Sequence, residues 1–162
     1  MIILRHKKYI RKYETGFTTI ELLMALGILA LLITIVFSIS VDVRKSQALQ
    51  KDTETIVEIL REARSDTLSS QSDTNYGVRF ASSTITIFPG SSYSSGNPLN
   101  RIFELNASDT ILTITLTGGG SNVVFNRLTG ETSQNGAVVV SSPTTSKTKT
   151  VTIYKTGLVS AN

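Results

Sequence analysis

A chain of 162 residues has room for one compact domain and an accessory segment, and too little for two full domains. It has no cysteine and one histidine, His6, which excludes disulfides, thiolate chemistry and, beyond the first few residues, imidazole acid–base or metal chemistry. The formal charge of +4 would suit a nucleic-acid binder, yet without its first sixteen residues the chain carries eleven basic and eleven acidic groups.

That basic excess is the work of residues 1–16, where Arg5, Lys7, Lys8, Arg11 and Lys12 are opposed by Glu14 alone. A run of 20 uncharged residues follows, Leu22–Val41 (LLMALGILALLITIVFSISV). At about 1.5 Å per residue a helix of that length covers roughly 30 Å, the hydrocarbon thickness of a bilayer. Basic residues before an apolar span place the leader in the cytoplasm and residues 42–162 on the far side. A cleaved secretory signal would have a shorter apolar run, about 7–15 residues. Ser38-Ile39-Ser40 does have the small-x-small form of a signal cleavage site, so a cleaved secretory signal stands as a rival, and a plain signal-anchored exported β-domain is a further alternative.

Glu21 is out of place in an ordinary anchor, because a carboxylate at the lip of an apolar span costs on the order of 2–3 kcal/mol. Gly16-Phe17-Thr18-Thr19-Ile20-Glu21-Leu22-Leu23, preceded by the basic cluster and followed by the uncharged run, resembles the processing site of type IV pilins and pseudopilins. The resemblance implies that a prepilin peptidase cuts between Gly16 and Phe17, that Phe17 becomes the N-methylated first residue, and that Glu21, fifth in the mature chain, serves assembly. Cleavage would leave a cationic amine one helical turn from Glu21, and between neighbouring subunits such a pair is far cheaper to bury than either charge alone. Many major pilins have a proline late in the apolar stretch. Here only Gly27, Ser38 and Ser40 have comparable character, which favours a minor subunit.

From Asp42 to about Leu68 no Pro or Gly interrupts a helix-favouring run. Leu49, Ile56, Leu60 and Ala63, with Val57 and Ile59 beside them, have the spacing of one buried face. Glu54, Glu58, Glu62, Arg61 and Arg64 are read as a solvated surface. A helix from Thr18 to Leu68 would be about 75 Å long, more than a head of about 90 residues could bury, so its first half calls for lipid or other subunits.

Beyond Ser69-Ser70-Gln71-Ser72-Asp73 the period changes to two. Strands are predicted at 76–80, 84–88, 111–116, 123–125, 137–140 and 151–154, with 101–105 as a further candidate. Pro89-Gly90, Gly96-Asn97-Pro98, Gly118-Gly119-Gly120, Asn135-Gly136 and Lys155-Thr156-Gly157 punctuate them. Short strands with no helix between them predict one antiparallel sheet packed on the outer half of the helix, an α+β fold.

Within the pilin-like family the head is similar to the GspH/FimT-like branch. The matching pieces are Leu60-Arg61-Glu62-Ala63-Arg64-Ser65, Tyr76-Gly77-Val78-Arg79-Phe80, Val124-Phe125-Asn126-Arg127-Leu128-Thr129-Gly130 and Val151-Thr152-Ile153-Tyr154-Lys155-Thr156-Gly157. The expected organisation is a leader at 1–16, a transmembrane and polymerisation helix at 17–41, the outer half of the helix with a linker at 42–72, and a β-rich pilin-like head at 73–162. The resemblance implies a minor pilin or pseudopilin of a type IV pilus or type II secretion pseudopilus. It would reside in the bacterial inner membrane with a single pass, leader inside and head outside, and then in the filament. Its partners would be the prepilin peptidase, other pilins, the assembly platform and the bilayer.

No catalytic constellation, cofactor motif or metal-ligand spacing is found. Gly118-Gly119-Gly120 lacks the Lys-Ser/Thr of a phosphate loop and falls between strands. Asn106-Ala107-Ser108 matches a glycosylation tripeptide of a kind common by chance. Asp66, Asp73, Glu104, Asp109 and Glu131 do not have the spacing of a calcium loop. Some FimT-like members are linked to DNA uptake and have arginines after the last glycine. Here Leu158-Val159-Ser160-Ala161-Asn162 follows instead, and Lys147, Lys149 and Lys155 fall in what reads as a solvated loop. A DNA-uptake pilin is therefore the second alternative, and nucleic acid is not expected as a partner.

Overall fold

The computed structural model describes residues 16–69, 73–144 and 146–162, apart from the side chains of 36–42. The basic cluster Arg5, Lys7, Lys8, Arg11 and Lys12 and the linker residues 70–72 lie outside the described residues. The chain divides into two compact units between Ile39 and Ser40. Its elements are α1 (Thr19–Leu68), β1 (Tyr76–Phe80), β2 (Thr84–Pro89), β3 (Arg101–Glu104), β4 (Thr110–Leu116), β5 (Asn122–Val124), β6 (Gly136–Ser142), β7 (Lys147–Ile153) and β8 (Val159–Ala161). The fold is α+β.

In the first unit every described side chain of α1, from Thr19 to Ile35, is exposed. Among the described residues no helix is long and apolar enough to cross a membrane. The run expected to span, Leu22–Val41, is described at side-chain level only as far as Ile35.

In the second unit the strands form two four-stranded antiparallel sheets, in place of the single sheet predicted. Their orders are β3-β2-β1-β5 and β4-β6-β7-β8. The chain builds β1, β2 and β3 as a meander, changes sheet through residues 105–109 to β4, and returns through the glycine turn at 117–121 to β5. It then changes sheet again to lay down β6, β7 and β8. Alternation alone shows which strands have a buried face, and it is silent on where the chain changes sheets. β4 pairs with β6 across a register shift between Ile111 and Thr113, which leaves Leu112 exposed.

One core joins both sheets to the second-unit part of α1. Val78 and Phe80, Ile85 and Ile87, Val138 and Val140, and Val151 and Ile153 point inward at alternating positions and meet Leu49, Ile56, Leu60 and Ala63. The buried seam of α1 is wider than predicted, because Thr53 and Thr67 are also buried. With them the seam reads 49, 53, 56, 60, 63, 67, alternating steps of four and three. Each threonine hydroxyl donates back to the carbonyl four residues earlier, Thr53 to Leu49 at 2.6 Å and Thr67 to Ala63 at 2.8 Å. That bond lets a hydroxyl occupy an apolar seam without an unsatisfied donor. Thr67 Oγ1 also accepts from the Tyr76 amide at 2.9 Å, tying the end of α1 to the start of β1.

The other face of sheet β3-β2-β1-β5 carries a smaller aromatic cluster. Phe88 is fully buried yet outside the main core. Its ring covers Gly77, its partner across β1 and β2, so closely that a Cβ there would sit 2.5 Å from the ring. Tyr93 packs edge-on against Phe88, and the Arg79 guanidinium lies 4.5 Å from the Tyr93 ring centroid.

Candidate functional site

The junction between Gly16 and Phe17 lies in irregular backbone directly before α1. Phe17 is 84% exposed, and no described residue lies within 4 Å of where a Gly16 Cβ would be. Thr18 is the N-cap. Its carbonyl accepts the first helical bond from the Leu22 amide at 3.1 Å, and its Oγ1 accepts from the Glu21 amide at 3.3 Å. Thr18-Thr19-Ile20-Glu21 therefore has the spacing of a capping box, in which the side chain at Glu21 would also reach back to the Thr18 amide. Only the threonine half of that exchange is formed. The Glu21 carboxylate is exposed in the first turn, where the helix dipole favours negative charge, and has no ion pair among the described residues. The Ser/Thr-x-x-Glu spacing was legible from sequence and gives Glu21 a second, local role beside the one the resemblance implies.

Apart from Glu21, the helix is apolar on all sides from Ile20 to Ile35. Ile20, Leu22, Leu23, Met24, Leu26, Ile28, Leu29, Leu31, Leu32, Ile33 and Ile35 are 47–68% exposed. An α-helix apolar all round is stable only when something covers it.

In the second unit, three of the four segments that carry the GspH/FimT-like resemblance meet at Arg64. Its Nε donates to the Gly130 carbonyl at 3.0 Å and its Nη2 to the Thr156 carbonyl at 3.4 Å. The two turns approach each other so closely that a Cβ on Gly157 (φ +76°) would lie 1.9 Å from the Gly130 carbonyl oxygen and 2.7 Å from Arg64 Nε. Gly130 itself has φ +65°. Arg64, expected on a solvated face, is instead half-buried and staples α1 to the turns before β6 and β8. Glu62, expected on the same face, pairs with Arg101 of β3, which also holds Asp66. No sequence signal distinguishes these residues from Glu54, Glu58 and Arg61; Glu62 remains exposed as they do, and only Arg64 leaves the solvated face.

The three lysines weighed for nucleic acid do not converge. Lys147 and Lys149 belong to β7, not to a loop, and Lys147 Nζ donates to Ser46 Oγ at 2.7 Å. Lys155 lies past the far end of that strand, roughly 20 Å along it at about 3.3 Å per residue. Among the described residues no group of three or more carboxylate or imidazole side chains could hold a metal. A groove of about 360 Å³ runs along the exposed side of α1, lined by Gln50, Glu54, Val57, Glu58, Arg61 and Ala161. Burial, and then the nearby Asp109, push the Asp52 carboxyl above the ordinary range, opposed by a bond from the Asn106 amide.

Comparison with protein families, characterised proteins and solved structures returns no match.

Proposed function

We propose that this chain is a minor pilin or pseudopilin, processed between Gly16 and Phe17 and assembled through α1 into a type IV pilus or type II secretion pseudopilus. One observation carries the reading: an exposed Gly16-Phe17 junction stands directly before a capped helix whose next sixteen residues hold Glu21 and eleven exposed large apolar side chains. Such a helix needs a covering, and lipid and neighbouring subunits are the two that the pilin pathway supplies in turn. The prepilin peptidase, the assembly platform and other pilins are the corresponding partners. The inner membrane, with the leader inside and the head outside, is the starting location. Convergence of three resembling segments on Arg64 supports the GspH/FimT-like assignment, because pieces scattered along the chain serve one contact.

N-terminal sequencing of the protein made with and without a prepilin peptidase tests the reading. A mature chain starting at N-methylated Phe17, seen only with the peptidase, is the expected result. A start after Ser40 would defeat it in favour of a cleaved secretory signal, and no processing in favour of a signal-anchored β-domain.

A further inference from the structure

A sheet edge is open to a further strand where its outward backbone N–H and C=O groups are left without partners. At two of the four edges those groups are taken. The Val124 amide of β5 donates to the Gln134 side chain at 3.1 Å, and the Ile111 amide of β4, beside the register shift, donates to the Ser82 carbonyl at 2.8 Å. β3 ends on the exposed carboxylate of Glu104, a charge of the kind that blunts an edge. β8 has none of these devices. Thr150 and Asn162 exchange both amide–carbonyl bonds at 3.0 Å, and the antiparallel register then makes Thr152 and Ser160 the next bonded pair. Val159 and Ala161 fall at the alternate positions, so their N–H and C=O groups point away from β7. Ala161 is exposed and lines the groove of about 360 Å³.

The opposite wall of that groove is α1. Gln50, Glu54, Val57, Glu58 and Arg61 make one stripe along it, and the rise from Gln50 to Arg61 is about 16 Å, the length of about five extended residues. Glu54 and Glu58 are exposed like charges one turn apart, an arrangement that disfavours the helix unless a cation offsets it. Gln50 Nε2 donates to Glu54 Oε1 at 2.6 Å, and neither carboxylate has an ion pair among the described residues. The two glutamates are about 6 Å apart along the helix axis, and alternate residues of an extended chain are about 6.6 Å apart. Two basic side chains separated by one residue therefore match the two carboxylates. Lys147-Thr148-Lys149 of this chain has that spacing, but it is laid down in β7 against Ser142, Ser141 and Val140 of β6. A second copy would have to break its own sheet to supply it.

We propose that the β8 edge and this face of α1 form a docking groove for an extended segment of a partner protein with Lys or Arg at alternate positions, which joins the sheet as a fifth strand. The backbone of the segment pairs with Ala161, and its two basic side chains lie over Glu54 and Glu58. The groove belongs wholly to the second unit, so the proposal stands apart from the processing of Gly16-Phe17.

The test measures binding of a fluorescent, end-blocked peptide, Val-Lys-Thr-Lys-Val, to the full chain in neutral detergent micelles by anisotropy, with amide hydrogen exchange as a second readout. Saturable binding at submillimolar peptide, with slowed exchange of the Ala161 amide, is the expected result. Replacing both acids, Glu54→Gln with Glu58→Gln, should weaken binding about fivefold at low salt. Ala161→Pro removes the outward amide without touching a bond to β7, so its thermal midpoint should stay within about 3 °C of wild type while binding falls at least tenfold. The same peptide N-methylated at each backbone amide keeps both charges but cannot donate to a sheet, and should bind at least about tenfold more weakly than its parent. Equal binding of the parent and N-methylated peptides would show attraction by charge alone and overturn strand addition. Unchanged binding to the double glutamine variant, or no binding to wild type at millimolar peptide, would overturn the groove itself.

Discussion

Glu21 has two readings that a single truncation would not separate, and Glu21→Gln does. In the local reading Glu21 is the third helical residue of a capping box begun by Thr18, and glutamine serves that position as well as glutamate. In the assembly reading its charge neutralises the amine of a neighbouring Phe17, and glutamine leaves that amine unpaired. The magnitudes differ enough to decide. Losing the Thr18 cap costs about 1 kcal/mol, a factor of roughly five in the order of the first turn. An uncompensated charge in an apolar assembly costs about 3–5 kcal/mol, a factor of roughly 150 or more. Three variants, Thr18→Ala, Glu21→Gln and Glu21→Val, should be compared by immunoblot of sheared filaments against the membrane fraction. All three should insert normally. Thr18→Ala should retain most of its incorporation, whereas Glu21→Gln and Glu21→Val should both lose at least 90%. Wild-type incorporation of Glu21→Gln would refute the charge-pairing reasoning and leave Glu21 with only its local place in the first turn.

Gly157→Ala would force a Cβ to within 1.9 Å of the Gly130 carbonyl at a left-handed φ, and should destabilise the head by about 3–5 kcal/mol in chemical denaturation. Thr67→Val keeps the shape of the seam but leaves the Tyr76 amide without its acceptor, an expected loss of about 1–3 kcal/mol in the same assay. Ile56→Ala, at a fully buried seam position, should cost about 2–5 kcal/mol and lower the thermal midpoint correspondingly. Arg101→Met removes a partly exposed pair with Glu62 and Asp66 and should change stability by less than about 1 kcal/mol, a difference that vanishes in high salt.

The features legible in the sequence are those written in periodicity. Val78 and Phe80, or Ile85 and Ile87, announce a buried strand face by alternation, and Leu49, Ile56, Leu60 and Ala63 announce a helix face by their spacing. Features that depend on tertiary context were not legible. Lys147 and Lys149 read as a loop because alternating Thr and Lys is equally consistent with a loop and with a strand that has one wet face. β8 is three residues long and offers no period at all. The division into two sheets is decided by crossovers, whose direction no alternation records. Arg64 and Glu62 look like Arg61 and Glu58 until the turns at Gly130 and Thr156 and the side chain of Arg101 come to meet them. At the N-terminus the reverse holds, since Gly16, Phe17 and Glu21 stand out by chemistry rather than by any packing.

The exposed apolar surface of α1 bears on what could drive assembly. Each large side chain from Ile20 to Ile35 is about half exposed, and burying the remainder is worth about 1 kcal/mol apiece, roughly 10 kcal/mol for the eleven. That is comparable with the whole stability of a small domain, so the helix is never expected to face water. Hydrophobicity, though, does not distinguish its two coverings, because lipid tails are as apolar as the flanks of neighbouring helices. Moving from bilayer to filament therefore gains little from these leucines and isoleucines. The difference must come from close packing, where Gly27 has open space within 4 Å for a neighbour's side chain, and from the polar groups at the lip of the span. In the proposed subunit those groups are Glu21 and the amine released at Phe17, which in a bilayer stay near water as separate charges and in a filament can be joined. In the proposed subunit the apolar run would keep the helix out of water, and the two charges at its start would make leaving the membrane specific.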